Sequence, residues 1–323
     1  MKAIVQYQYG SPEVLHLEQV TKPLPQANEV LVRVQAAAVN AGDWHLIRGT
    51  PFFIRLMFGG LFKPTIAIPG MDMAGQVEAV GENVTQFKPG DGVFGELSEW
   101  GFGAFAEYVC VPEAALAPQP TNLTFEQAAA VPGAALAALQ ALRDCGQLQA
   151  GQRVLVKGAS GGVGSFAVQI AKAWDAEVTG VCSTAKVAMV RELGADHIID
   201  YCQMELTQQR EQYELMIDAA AYWSVSDYLP LLKPEGTYVM VGGSTTQFFQ
   251  ALLFGSWLSK RSGRNVECLT TKPNSADLDL IRELLEAGKI KPYIDRTYPL
   301  NEVPAAIRRL EERQVQGKVV IRV

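Results

Sequence analysis

The stretch Val154-Leu155-Val156-Lys157, running into Gly158-Ala159-Ser160-Gly161-Gly162-Val163-Gly164, constrains this chain more than any other. It is an apolar strand that turns through small residues into a helix expected over 163–174. A turn that tight, with its backbone close to a bound group, excludes bulky side chains. The N–H-rich, positive end of the helix suits a pyrophosphate. The spacing reads A-x-G-x-x-G, with Ala159 where the dinucleotide fingerprint has its first glycine and Gly161, Gly162, Val163 and Gly164 completing it. Such a motif carries weight only after a strand, before a helix and inside an alternating run, and this one meets all three conditions.

The alternation around the turn extends the argument. Strands are expected at 153–157, 177–182, 197–199, 215–218, 237–241 and 266–270, with helices at 163–174 and 186–193. This is the pattern of a doubly wound, mostly parallel Rossmann sheet, an α/β fold. Before it, residues 1–123 are rich in Gly and Pro. They carry short β-prone runs at 3–7, 30–39, 75–80 and 104–111, separated by turns such as Lys88-Pro89-Gly90-Asp91, which predicts an antiparallel, barrel-like domain. A helix N-capped by Thr124 and running to 142 opens the second part. Helices at 277–287 and 302–314 and a strand at 318–323 close the chain. The expected domains are 1–123 (β-rich), 124–271 (nucleotide-binding) and 272–323 (return to the first).

Which dinucleotide binds is read at the end of the second strand. NAD-binding sites place an acid there for the ribose 2′-hydroxyl. This chain has Val181-Cys182-Ser183-Thr184-Ala185-Lys186, two hydroxyls and a cation, while Asp175 and Glu177 stand at the strand's other end. Ser183 and Lys186 suit a 2′-phosphate, which would also relieve a cation placed in the first turn of the following helix. Tyr201, after the third strand, is expected to close over the adenine ribose, and Gly242, after 237–241, to let backbone approach the nicotinamide. The expected cofactor is NADPH. A solvated surface lysine is the other reading of Lys186.

Composition closes off other classes. Among 323 residues, 48% are hydrophobic and 19% charged, which permits a large core, and a net charge of −6 offers no general attraction to nucleic acid. Five scattered cysteines without a CxxC pair read as free thiols of a cytoplasmic protein. No continuously apolar run approaches the ~20 residues of a membrane helix.

Several phrases together carry a family resemblance: Met1-Lys2-Ala3-Ile4, Val39-Asn40-Ala41-Gly42-Asp43-Trp44, Pro69-Gly70-Met71-Asp72-Met73-Ala74-Gly75, Phe87-Lys88-Pro89-Gly90-Asp91-Gly92-Val93, Leu193-Gly194-Ala195-Asp196 and Gly317-Lys318-Val319-Val320. From end to end the chain resembles the quinone oxidoreductase branch of the medium-chain dehydrogenase/reductase superfamily. Within it, the chain is most similar to chloroplast-envelope-type quinone oxidoreductase homologues and enone reductases. The resemblance implies a GroES-like catalytic domain beside the Rossmann domain, a homodimer, and a quinone or α,β-unsaturated carbonyl as the apolar substrate. Zinc-dependent relatives hold the metal with a Cys where this chain has Asn40 and a His-Glu pair where it has Met71 and Asp72. Neutral amide and thioether groups are poor zinc ligands, so no metal is expected.

Hydride addition to such acceptors needs orientation and a donor for developing oxyanion charge. Asn40 is the candidate donor, an ordinary turn residue being its other reading. Asp43 is expected to brace the loop. His45 and Arg48 are further catalytic candidates, either of which also fits a structural role, and Lys318 is expected among the cofactor-binding residues. The apolar segments 51–62 and 248–258 are expected to wall a substrate cleft, with packing, a dimer contact and a peripheral membrane patch left open. From another class, the alternative is a non-catalytic NADPH-binding structural or partner-binding protein.

Overall fold

The computed structural model describes residues 1–58, 60–209 and 212–323. The chain begins with β1 (Lys2–Gln6), β2 (Leu15–Gln19), β3 (Glu29–Val39), α1 (Ala41–Arg48), α2 (Phe53–Met57), β4 (Asp72–Val80), β5 (Gly92–Glu96), β6 (Tyr108–Pro112), β7 (Leu116–Pro118) and α3 (Phe125–Ala129). It continues with α4 (Pro132–Gln140), β8 (Arg153–Lys157), α5 (Gly162–Ala173), β9 (Glu177–Cys182), α6 (Val187–Glu192), β10 (His197–Asp200) and β11 (Tyr213–Asp218). There follow α7 (Val225–Tyr228), β12 (Leu232–Met240), α8 (Thr245–Ser262), β13 (Asn265–Cys268), α9 (Ser275–Glu286), β14 (Ile294–Pro299), α10 (Val303–Glu311) and β15 (Lys318–Arg322). These elements form two compact units. The first is Met1–Gly133, Pro273–Ala287 and Pro292–Val323, and the second is Ala134–Lys272 with Gly288–Lys291.

The second unit is built on a six-stranded sheet in the order β10-β9-β8-β11-β12-β13, with every pairing parallel. β8 lies between β9 and β11, so the strand order reverses there. The crevice outside the carboxyl ends of β8 and β11 is where open α/β sheets bind ligands. β8 and β9 are apolar almost throughout because both faces of the sheet are covered. The expected strands and the helix after the glycine turn are present within a few residues of their predicted limits.

The first unit has a seven-stranded sheet, ordered β14-β15-β3-β4-β5-β7 with β6 on β3, and a separate β1–β2 pair. Its pairings are antiparallel except β14 with β15, a parallel pair that a purely antiparallel expectation did not include. β3 is the spine: its first half pairs β6 and its second half pairs β15, while β4 runs along its other edge. Ala36, Ala37 and Ala38 on this strand are fully buried, and α3 packs over β3 and β4.

Three local differences have physical causes. The helix expected from Thr124 to 142 is broken, because Pro132 has no N–H to continue one helix and starts another. Thr124 does cap α3, its Oγ accepting from Gln127 N at 3.3 Å. The residues after Asn40, expected as a loop, form α1. The 248–258 segment lies within α8, where Ala251, Gly255 and Leu258 face inward and Phe249, Leu252, Leu253, Phe254 and Trp257 are exposed.

Candidate functional site

The nucleotide turn leaves β8 through Gly158, whose φ of +79° is in the left-handed region. Gly164 is required by packing: a Cβ there would lie 2.0 Å from the Gly158 carbonyl oxygen. Ala159 is fully buried and donates its N–H to Val181 O at 3.1 Å. Its methyl group lies over Gly180 of β9, which explains how an alanine serves in the first position of the fingerprint. No side chain caps α5 at Gly161. Ser165 N is the first to find an intrahelical acceptor, Gly161 O at 2.9 Å, which leaves the N–H groups of Gly162, Val163 and Gly164 directed out of the helix start. Uncapped N–H groups and the positive end of the macrodipole favour an anion at that point.

The adenosine-side candidates stand at the ends of neighbouring strands. Tyr201, exposed, donates its N–H to Cys182 O at 3.1 Å, so it emerges beside Ser183. Lys186 ends a 3₁₀ turn over Thr184–Lys186 and is itself the residue preceding α6, not a member of its first turn. The cation therefore sits at the N-cap of α6, still at the positive end of that helix. Glu177, at the far end of β9, pairs with His197 at 3.0 Å. An acid overlooked in the sequence, Asp200, ends β10, and its Oδ1 accepts from Cys202 N at 3.0 Å.

Near the strand-order reversal the structure assembles a buried network that sequence reasoning missed. Lys157 Nζ donates to Asp218 Oδ1 at 3.1 Å and to Ala220 O, and Tyr238 Oη donates to Asp218 Oδ2 at 2.9 Å. Burial raises the Asp218 carboxyl, against which the Lys157 ammonium acts. The available signal was a charged residue ending each of two apolar strands. At the end of β12, Gly242 accepts from Ala221 N at 2.8 Å, but the glycine that the fold cannot replace is Gly243. A Cβ on Gly243 would meet Ala221 O at 2.2 Å.

In the first unit, adjoining strand ends set a row of polar side chains. Val319 pairs Val39, Asp72 pairs Ala38, and Glu96 pairs Asp72, so Lys318, Asn40, Asp72 and Glu96 follow one another across β15, β3, β4 and β5. Lys318 Nζ donates to Asn40 Oδ1 at 2.5 Å and to Asp72 Oδ2 at 3.1 Å. Asn40 Nδ2 donates to Asp72 Oδ2 at 2.9 Å and, less closely, to Ala38 O at 3.3 Å. Asp72 Oδ1 accepts from Gly133 N at 2.8 Å. Asp43 Oδ2 accepts from Asn40 N at 2.8 Å, while its Oδ1 is buried without a hydrogen-bond partner.

The electrostatics follow from burial. Desolvation pushes the Asp43 carboxyl up to about 7, with the neighbouring Asp72 charge adding to the rise and Lys318 opposing it. Desolvation likewise pushes Glu96 up to about 8, reinforced by Asp72 directly opposite in register. Lys318, expected with the cofactor, directs its ammonium at Asn40 and Asp72. Arg48 is drawn away from the cluster, its Nε lying 2.6 Å from Glu311 Oε1. His45 sits at Thr50 O, 2.7 Å from Nδ1, and burial lowers its pKa below the ordinary imidazole value. In the 51–62 segment Phe52, Leu56, Met57, Leu61 and Phe62 are exposed, and Gly59 lies outside the described residues.

Zinc does not fit these residues. Where zinc-dependent relatives present Cys, His and Glu, this chain has an amide, a thioether and a carboxylate that already carries the Lys318 ammonium. Among the described residues no group of three or more His, Cys, Asp or Glu is arranged to hold a metal ion.

A Rossmann sheet with an uncapped glycine turn, joined to a GroES-like β unit, defines an NAD(P)H-dependent oxidoreductase. Comparison with known proteins agrees. Residues 26–121 match the alcohol dehydrogenase GroES-like domain and residues 193–321 the zinc-binding dehydrogenase model. The chain is 34% identical to the mitochondrial NAD(P)H oxidoreductase RTN4IP1 of Bos taurus, over 100% of this chain and 89% of that one. It is 32% identical to a chloroplastic NADPH-dependent alkenal/one oxidoreductase of Arabidopsis thaliana, over 99% and 79%. The solved quinone oxidoreductase from Coxiella burnetii superposes with a TM-score of 0.88 at 30% identity, covering 100% of this chain and 99% of that one. The chain belongs to the quinone oxidoreductase branch of the medium-chain dehydrogenase/reductase superfamily.

Proposed function

We propose that this enzyme uses NADPH to reduce a small apolar carbonyl acceptor, a quinone or the double bond of an α,β-unsaturated carbonyl, without a metal ion. The observation that carries the cofactor reading is the carboxyl end of β9. Ser183 and Lys186 stand there beside Tyr201, and a nearby acid, Asp200, is engaged by Cys202 N. The uncapped start of α5 holds the pyrophosphate through the N–H groups of Gly162, Val163 and Gly164. Bound NADPH supplies the hydride, and the protein supplies orientation and a donor for the oxygen that gains negative charge. We assign that donor to Asn40, whose 3.3 Å bond to Ala38 O is the weak one that a substrate oxygen can replace. Asp43 braces the Asn40 turn. Arg48 and His45, given their partners, act structurally.

A metal-free site is supported by the tethered ammonium of Lys318 standing among the groups that correspond to zinc-ligand positions. A reducing compartment such as the cytoplasm is supported by five free cysteines, and a homodimer by the family resemblance. No helix among the described residues is long and apolar enough to cross a membrane. Oxidation of NADPH and of NADH, followed at 340 nm with 1,4-benzoquinone, 9,10-phenanthrenequinone, an alkenal and a long-chain enone, tests the reading. NADPH-selective turnover that survives a chelator supports it. Silence with every acceptor, while NADPH still raises the melting temperature, moves the assignment to the non-catalytic alternative.

A further inference from the structure

We propose that Lys318 and Asp72 are positioning residues that lock the Asn40 side-chain amide in one orientation. The proposal rests on the assignment of Asn40 as the substrate-facing donor. An asparagine amide has two nearly isosteric ends, and only its hydrogen-bond partners decide which way it points. Here the oxygen faces an ammonium at 2.5 Å and the nitrogen faces a carboxylate at 2.9 Å. Turning the amide over would set N–H groups against Lys318 and a carbonyl oxygen against Asp72, losing both bonds and replacing attraction by repulsion.

The partners are themselves fixed. Lys318 and Asp72 are 3% and 0% exposed. Asp72 is held from a third side by Gly133 N at 2.8 Å, where a Cβ on Gly133 would crowd Asp72 Oδ1 at 2.9 Å. Three strand ends and the start of α4 thus converge on a single carboxylate. A cation on the carbonyl side also draws electron density from the amide and strengthens its N–H groups as donors. Burying a lysine and an aspartate in place of apolar residues is not the cheapest way to hold a sheet together. It is an effective way to fix a neutral donor that must not turn.

Two variants separate positioning from simple support. Lys318→Met leaves Asp72 buried and unpaired and should lower both melting temperature and kcat. Asp72→Asn combined with Lys318→Met removes both charges and should recover most of the melting temperature. With NADPH and 9,10-phenanthrenequinone, its kcat should remain about 10- to 100-fold below wild type, the scale of a misplaced catalytic group, with NADPH affinity within about twofold. Recovery of kcat together with stability would overturn the proposal. Should the double variant not fold, Lys318→Gln keeps a donor and loses the charge. Its kcat should then stay well above that of Lys318→Met, and equal losses in the two variants would overturn the proposal. If the wild type reduces no acceptor, it is the functional reading that fails. The positioning claim is then judged by hydrogen exchange of the Asn40 side-chain NH₂ in selectively labelled protein. That exchange should be slow in wild type and fast in the variant, and equal rates would overturn the claim.

Discussion

The carboxyl of Asp43 offers a stability prediction whose size can be worked out beforehand. In the unfolded chain its pKa is near 3.8, and in the folded unit burial holds it at about 7. Because the folded value is the higher one, the native state keeps a proton that the unfolded state has already released. Stability is therefore complete below about pH 4 and falls as pH rises through the folded value near 7. Between pH 6 and 8 the loss from Asp43 amounts to about 1.4 kcal/mol, from 1.36 kcal/mol per unit applied to the fraction still protonated. Glu96, raised to about 8, adds roughly 2 kcal/mol over the same interval by the same rule. Asp43→Asn removes one share. Its Oδ1 can still accept from Asn40 N, and the amide group left in the unpartnered position costs about 1–3 kcal/mol at any pH. Wild type and variant should therefore differ in slope as well as in level. Thermal melts at pH 6, 7 and 8 and fixed ionic strength should show the gap between the proteins shifting by roughly 2 °C in favour of the variant as pH rises. Parallel slopes would mean that Asp43 is ionised in the folded state, and the account of this cluster would be wrong.

Three further outcomes are expected. Gly164→Ala, whose Cβ would meet Gly158 O at 2.0 Å, should push α5 away from the turn. NADPH should then no longer raise its melting temperature, and an unchanged shift would remove the turn from the binding site. Lys186→Glu should raise the KM for NADPH by roughly 10- to 100-fold, equivalent to ~1.4–2.7 kcal/mol, and leave that for NADH nearly unchanged. An equal effect on both would refute the 2′-phosphate assignment. On α8, Phe254→Asp should alter stability by no more than ~0.5 kcal/mol because Phe254 is exposed, whereas Leu258→Ala should cost ~2–5 kcal/mol. If Phe254→Asp and Phe53→Asp leave the KM of a long-chain enone where it was, neither apolar segment lines the substrate cleft.

How much of this could be read from the sequence depends on how local the cause is. The β8 turn and α5 were legible because strand period, glycine spacing and helix period all fall within one short segment. Thr124 was legible as a cap for the same reason. α1 was not, since Asn40-Ala41-Gly42-Asp43 has the composition of a turn. What makes it a helix start is the Asp43 carboxylate folding back onto Asn40 N. α8 was seen as an apolar run but not as a helix. Only Ala251, Gly255 and Leu258 face the sheet, and that stripe is masked by exposed Leu252, Leu253 and Phe254. β14 escaped because Asp295 and Arg296 interrupt its apolar pattern, and its partner β15 lies beyond α10. The Lys318–Asn40 contact joins residues 278 positions apart. Nothing near either residue announces it, and only the register of β15 on β3 brings them together.

The two units use different chemical means, and that difference makes their roles separable by experiment. In the second unit the candidate cofactor groups are mostly backbone: uncapped N–H groups of α5, and glycines at 158, 164 and 243 that a Cβ would crowd. Damage there comes from adding atoms, and it should appear in cofactor affinity at every pH. In the first unit the candidate groups are side chains whose charges are coupled: Asp72 against Lys318, Asp43 and Glu96 lifted by burial and by Asp72. Damage there comes from changing charge, and it should appear in turnover and in the pH dependence of stability while cofactor affinity is preserved. A glycine variant that altered the pH slope, or a charge variant in the first unit that abolished NADPH binding, would show that the two sets of residues are not independent in the way their hydrogen bonds indicate.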